Sequence, residues 1–234
     1  MHVWRIALDL PPETLHHLRA TLAPDELARA QRLRFAQHRD RFVAGRGILR
    51  AVLACYLRTT PDQLAFEYGP HGKPGLCDAT GDAPYFNLSH SDDRALLVVA
   101  RAEVGIDLEA VRSTLDIDSL AATIFSPAER RALLALPPSR RTAAFFAGWT
   151  SKEAYSKALG HGLSRDPRTF SVSLDPAAPA LLAVEGQPDE PRRWTLQALP
   201  AGPGHQAVLA IAIAHPHILC REWPPHRTND SPPP

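Results

Sequence analysis

The chain has 234 residues, a formal net charge of +1, 44% hydrophobic residues and 22% charged residues. This is apolar material for one large domain or two small ones, and the near-neutral balance without a basic block argues against a nucleic-acid-binding protein. No stretch approaches the roughly 20 apolar residues that span a bilayer, and the N-terminal MHVWRIALDLPPETL has too short an apolar run for a signal peptide. Cys55, Cys77 and Cys220 are far apart and form no CxxC pair, which suits a reducing compartment. The expectation is a soluble cytoplasmic protein without nucleic-acid or membrane partners.

In chain order, Val3–Leu8 alternates as a strand, and Pro24-Asp-Glu opens a helix with its acids at the positive end of the dipole. A long helix is expected from about His38 to Leu57, with Phe42, Ile48, Leu49, Val52 and Leu53 facing the core. Thr60-Pro-Asp-Gln reads as a helical turn or loop start. Strands are expected near Leu64–Tyr68, Tyr85–Leu88 and Ala95–Ala100. The same order then recurs: a strand at Val104–Glu109, short helices near Ile117–Ile124 and Pro127–Leu136, and a long helix from about Ser139 to Leu159. Strands follow near Thr169–Ser173, Arg193–Leu199 and Gln206–Ala214. The expected fold class is α+β, as two similar α+β halves, 1–102 and 103–223, with a ligand cleft between them. Residues 224–234, rich in proline and polar groups, read as a disordered tail.

Only three of the 26 basic residues are lysines, Lys73, Lys152 and Lys157. A composition that replaces lysine by arginine this freely draws attention to the lysines that survive, since a compact ammonium and a planar guanidinium are not interchangeable. Two of them fall in WTSKEAYSKALGHGLS, where Trp149, Glu153 and Lys157 share a helix face at i, i+4 spacing. Glu153 and Lys157 could equally form a plain surface ion pair. Gly-His-Gly then ends the helix.

In VGIDLEAV, Asp107 and Glu109 point to one face of a strand with Cα atoms about 6–7 Å apart. Two carboxylates so placed repel unless a cation or proton lies between them. A magnesium ion shared with substrate phosphates satisfies that condition, and a solvated acidic strand face is the competing reading. In PYFNLSHSDD a strand ends in Ser89 and His90, both able to bond phosphate oxygens, although turns use such residues freely. There is no GxSxG elbow for a serine hydrolase. The loop GPHGKPG carries Lys73, and in RFVAGRGILR the like charges Arg46 and Arg50 share a helix face, which favours an answering anion or acid.

Taken together, GRGILR, HGKPGL, FNLSHS, VGIDLE and WTSKEAYSKALGHGLS, spread over about residues 41–164, resemble the two-domain phosphopantetheinyl transferases of the type that activates surfactin synthetase. The resemblance implies a pseudo-twofold pair of α+β halves acting as a monomer. It implies transfer of the 4′-phosphopantetheine group of coenzyme A to a serine of an apo acyl or peptidyl carrier protein, releasing adenosine 3′,5′-bisphosphate. Asp107, Glu109 and Glu153 match the family's magnesium carboxylates, with Glu153 also the base for the carrier serine and Lys157 on the diphosphate. Asp107, Glu153 and Lys157 are thus the expected catalytic set. Ser89 and His90 match phosphate contacts, His90 near the 3′-phosphate. Lys73, with Gly72 and Pro74, matches a loop against the adenine, and Arg46 a further phosphate contact. Trp149 reads as a packing anchor, and Lys152 belongs to the motif without an assigned role. His71 departs from the pattern, standing where an aromatic is common. Two rivals remain: a different magnesium enzyme acting on a nucleotide diphosphate, and a module that binds carrier proteins or coenzyme A without turnover.

Overall fold

The computed structural model describes residues 1–77, 83–160 and 165–224. The end of the expected Gly-His-Gly loop, from His161, and the expected tail from 225 lie outside the described residues. The chain runs β1 (His2–Ala7), α1 (Pro12–Arg19), α2 (Pro24–Gln31), α3 (Ala36–Leu57), β2 (Phe66–Tyr68), β3 (Pro74–Leu76), β4 (Tyr85–Ser91) and β5 (Arg94–Ala100). It continues through β6 (Val104–Ala110), α4 (Ile117–Ile124), α5 (Pro127–Ala135), α6 (Pro138–Leu159), β7 (Phe170–Val172) and β8 (Leu181–Val184). It ends with α7 (Glu190–Arg193), β9 (Thr195–Ala198), β10 (His205–Ile211) and β11 (Leu219–Trp223). The fold is mixed α+β, and no helix among the described residues is long and apolar enough to cross a membrane.

Two sheets carry the molecule, one in the order β11-β1-β5-β4 and one in the order β6-β10-β9. The unbroken apolar run of β5 follows from its position, because both faces are covered. Ala95, Leu97 and Val99 pack with Ile48, Leu49 and Leu53 of α3. Leu96 and Val98 pack instead with Ile106, Leu108 and Leu209 of the second sheet. β10 divides in the same way, Leu209 and Ile211 toward that shared seam, and Val208 and Ala210 toward Ala154, Tyr155 and Ala158 of α6. The sheets therefore meet across an apolar seam, with α3 behind one and α6 behind the other. Of the expected α3 core residues, Ile48, Leu49, Val52 and Leu53 are buried, and Phe42 is partly buried against them.

The first three-stranded part, β1-β5-β4, and the second sheet, β6-β10-β9, have the same order, antiparallel throughout. A two-stranded hairpin follows each long helix, β2–β3 after α3 and β7–β8 after α6. A buried ion pair also occurs twice. Glu26 on α2 takes the Nε–H of Arg50 at 2.7 Å, and Arg50 also donates to the carbonyls of Pro61 and Leu64. Glu129 on α5 takes Lys152 Nζ at 2.9 Å, and Lys152 donates to the carbonyls of Pro167 and Phe170. In both, the glutamate is the third residue of a helix opened by proline, and its carboxylate also takes the N–H of the residue before that proline. In both, the cation stands at the fifteenth position of a 22-residue helix. These cations hold the segment after each helix against its body.

Lys152 is thereby assigned to structure: its side chain is 1% exposed. Removing one member of a buried pair leaves the other uncompensated, at a cost of about 3–5 kcal/mol. Lys152→Ala should therefore lower the urea unfolding free energy by about that amount, and a loss under about 1 kcal/mol would remove Lys152 from this role.

Several short elements were not expected from periodicity, namely α1, β3, β8, α7 and β11. The last departs most from the sequence expectation. It follows the second sheet in the chain but pairs in parallel with β1, from His2↔Leu219 to Ile6↔Trp223, so the chain's end completes the first sheet.

Candidate functional site

Gly105 sets the approach of β6 to α6. A Cβ there would lie 2.1 Å from the Ala154 carbonyl oxygen and 2.3 Å from the Ala158 nitrogen, well inside any van der Waals limit. With only a hydrogen at that position, the strand carrying Asp107 and Glu109 lies against the helix turns carrying Glu153 and Lys157. Lys157 Nζ is 2.5 Å from Asp107 Oδ1 and 3.0 Å from Ser89 Oγ. Trp149, one turn before Glu153, donates its Nε1–H to Glu109 Oε1 at 3.0 Å while packing beside Phe125 and Phe145. It is both an anchor and a carboxylate partner.

Asp107 is 2% exposed, which excludes a solvated acidic strand face. Its Oδ1 serves Lys157 and Ser89, whereas Oδ2 is buried with no hydrogen-bond partner among the described residues. A buried carboxylate oxygen left this way is costly. Glu109 is held above the ordinary carboxylate range by burial, then by the charge of Asp107, against the opposing Trp149 hydrogen bond and Lys157. Burial, followed by Asp107 and then Glu109, raises Glu153, with Lys157 opposing. Both glutamates thus sense the charge of Asp107, and Glu153 also that of Glu109.

No three His, Cys, Asp or Glu side chains among the described residues close into a metal cage by themselves. Magnesium uses one or two carboxylates and completes its shell with waters and substrate phosphates. The orphaned Asp107 Oδ2 and the mutually repelling glutamates fit such an ion.

Ser89 is buried, and its hydroxyl is fully used. It accepts from Leu108 N–H and Lys157 and donates to Asp107 Oδ1 at 3.0 Å. With its single proton on Asp107 and Lys157 as a donor to it, Ser89 orients both groups. His90 is exposed at the end of β4. Burial of part of its surroundings lowers its pKa, and the charges of Lys157 and Arg29 lower it further, with Asp107 opposing. Arg29, on α2, is a cation near this end that the motifs did not indicate.

The Arg46–Arg50 pair is answered from within the protein by an acid, Glu26. Glu26 binds both guanidinium groups, Arg46 lies 4.3 Å over the Phe66 ring, and its Nη2 donates to Tyr68 Oη at 2.7 Å. Lys73 also has its ammonium engaged, donating to Ala158 O at 2.9 Å and Val104 O at 3.1 Å. Burial brings its pKa down to about 8, with Glu103 opposing. Lys73 therefore caps the C-terminal turn of α6 and ties the β2–β3 hairpin to β6. Its loop does line a cavity of about 780 Å³, with Tyr68, Pro74, Tyr85, Glu103 and Gly160 around it. That size accommodates a nucleotide-sized ligand. Gly72, at φ +82°, makes the hairpin turn, and Ala158 on the cavity wall adjoins Lys157 in the chain.

Comparison with known proteins bears on the family of the chain. A family model described as the 4′-phosphopantetheinyl transferase superfamily matches residues 103–212. The 4′-phosphopantetheinyl transferase HetI of Nostoc sp. is 44% identical over 216 residues, covering 92% of this chain and 87% of its own. The 4′-phosphopantetheinyl transferase psf-1 of Bacillus pumilus is 30% identical over 212 residues, 89% of this chain and 88% of its own. The 4′-phosphopantetheinyl transferase Sfp of Bacillus subtilis is 26% identical over 219 residues, 92% and 93% of the two chains. With 44% identity to HetI over 92% of this chain and 87% of that relative, the chain belongs to the 4′-phosphopantetheinyl transferase superfamily.

Proposed function

We propose that the protein transfers the 4′-phosphopantetheine group of coenzyme A to a serine of an apo acyl or peptidyl carrier protein. The observation that carries the residue assignment is the meeting of Asp107 and Glu109 of β6 with Glu153 and Lys157 of α6, around a buried carboxylate oxygen that has no hydrogen-bond partner among the described residues. The carrier serine oxygen bonds to the β-phosphorus of coenzyme A, the bond to the bridging oxygen breaks, and adenosine 3′,5′-bisphosphate leaves. Glu153 takes the serine proton. Lys157 moves its ammonium onto the diphosphate oxygens, and Ser89 keeps Asp107 oriented. Asp107, Glu109 and Glu153 would hold magnesium, which supplies charge neutralisation at the diphosphate. His90, with Arg29 near it, faces the 3′-phosphate, and the cavity behind Tyr68, Lys73 and Pro74 receives the adenine.

We read the chain as two halves, 1–102 and 103–223, related by a pseudo-twofold axis with the site between them. The matching strand orders and the repeated ion pairs of Glu26–Arg50 and Glu129–Lys152 support this. In that reading β11 returns from the second half to the sheet of the first. The two halves together supply every group named, as expected of a monomer, and the three free thiols suit the cytoplasm.

The test is to incubate the protein with coenzyme A, magnesium and a panel of apo-carriers, and to weigh the carriers. A gain of one phosphopantetheine unit is expected. Binding without any mass gain across the panel would favour a non-catalytic module and overturn the proposal.

A further inference from the structure

Among the described residues β6 is an edge strand, with β10 as its one ladder partner. On such a strand every second N–H points away from the partner and must be satisfied otherwise. Those of Ile106, Leu108 and Ala110 are satisfied by side chains of β4. Ile106 N–H donates to Asn87 Oδ1 at 2.8 Å, Leu108 N–H to Ser89 Oγ at 3.2 Å, and Ala110 N–H to Ser91 Oγ at 3.0 Å. The separation is 19 residues each time, so both strands advance two residues per rung. The two serines do more than accept. Each also donates to the carboxylate just before the amide it accepts from, Ser89 to Asp107 at 3.0 Å and Ser91 to Glu109 Oε2 at 3.4 Å. One hydroxyl has the proton and the two lone pairs needed for both bonds. Glu109 is thus held from two sides, by Trp149 on Oε1 and Ser91 on Oε2.

We propose that Ser91 is a positioning residue for Glu109, the last rung of an Asn87–Ser89–Ser91 side-chain ladder through which the first sheet sets the register of the carboxylate strand. This rests on the reading of Glu109 as a magnesium ligand. A serine that fixes both the strand and the ligand's free oxygen presets the position in which the carboxylate meets the ion.

The test uses the full chain with coenzyme A and no carrier, so that no turnover occurs. Amide hydrogen exchange is read at Leu108 and Ala110 by NMR, and magnesium affinity by calorimetric titration. In Ser91→Ala the Ala110 amide should exchange faster while that of Leu108 stays protected. The magnesium dissociation constant should rise about tenfold, within the range for outer-shell partners. Ser91→Thr, which keeps the hydroxyl, should retain wild-type values in both. Ser91→Cys, a poorer donor and acceptor, should fall between and stands in if the alanine variant does not fold. Wild-type exchange at Ala110, or wild-type magnesium affinity, in Ser91→Ala and Ser91→Cys overturns the proposal. Glu109→Ala separates the two assumptions. If it binds magnesium as tightly as wild type, the ligand assignment fails, whereas the ladder itself is decided by Ala110 exchange alone.

Discussion

Asp107→Ala should lower the rate of carrier modification by about 10²–10³-fold at saturating coenzyme A. Charge stabilisation of this kind is worth several kcal/mol in the transition state, and each 1.36 kcal/mol is tenfold. The variant should still fold. Lys157, the partner left behind, has a side chain 28% exposed and can rehydrate, so the stability cost stays near the about 1–3 kcal/mol of losing a buried hydrogen-bonded group. Asp107→Asn preserves the shape and can still accept from Ser89, yet it lacks the charge and should be almost as slow. Rates by carrier mass and melting curves for the two variants check this. Near-normal activity that still depends on magnesium, in either variant, sinks the assignment of Asp107.

Glu153→Gln distinguishes two roles for one carboxylate. As a metal ligand alone, its loss should weaken magnesium binding, and excess magnesium should recover the rate. As the base as well, the variant should stay slow at saturating magnesium, because a neutral amide cannot take the serine proton. General-base contributions are about 10²–10⁴-fold, far above the few tenths of a kcal/mol of a helix ion pair. The expected result is partial recovery of binding with a persistent rate defect. The pH dependence carries the same information. Burial and the neighbouring carboxylates raise Glu153 above its ordinary 4.5, so its acid form persists to higher pH. A bound cation opposes this rise, so the wild-type rate should rise with pH as Glu153 loses its proton, and that limb should vanish in the glutamine variant. Full rescue by magnesium would refute the base role, and an unchanged rate throughout would refute both roles.

A carboxyl raised in the folded state also binds its proton more tightly there than in the unfolded chain. Between 4.5 and the raised values of Glu109 and Glu153, stability contributed by these groups therefore falls as pH rises.

The elements that periodicity located best were those whose burial is one-sided or long: α3 and α6, and the strands β5 and β6. There the pattern of apolar residues is imposed by a face that the chain itself must cover. The chemistry of VGIDLE and WTSKEAYSK was equally legible, since a two-residue repeat on a strand and a four-residue repeat on a helix each align side chains locally. The repeat of proline-x-glutamate at Pro24–Glu26 and Pro127–Glu129 was also visible in the sequence, and could have announced both buried ion pairs. By contrast, the partners of Arg46, Lys73 and Lys152 depend on segments 20, 31 and 85, and 23 residues away, and no local pattern encodes which charge meets which. Packing pairs Arg46 with Glu26, Lys73 with two carbonyls and Lys152 with Glu129. The sequence by itself determined the family, the mixed α+β class and the alignment of the carboxylates along β6. Only the tertiary structure decided which partner each of these cations meets, because a buried charge goes to whichever opposite group the fold brings within hydrogen-bond reach.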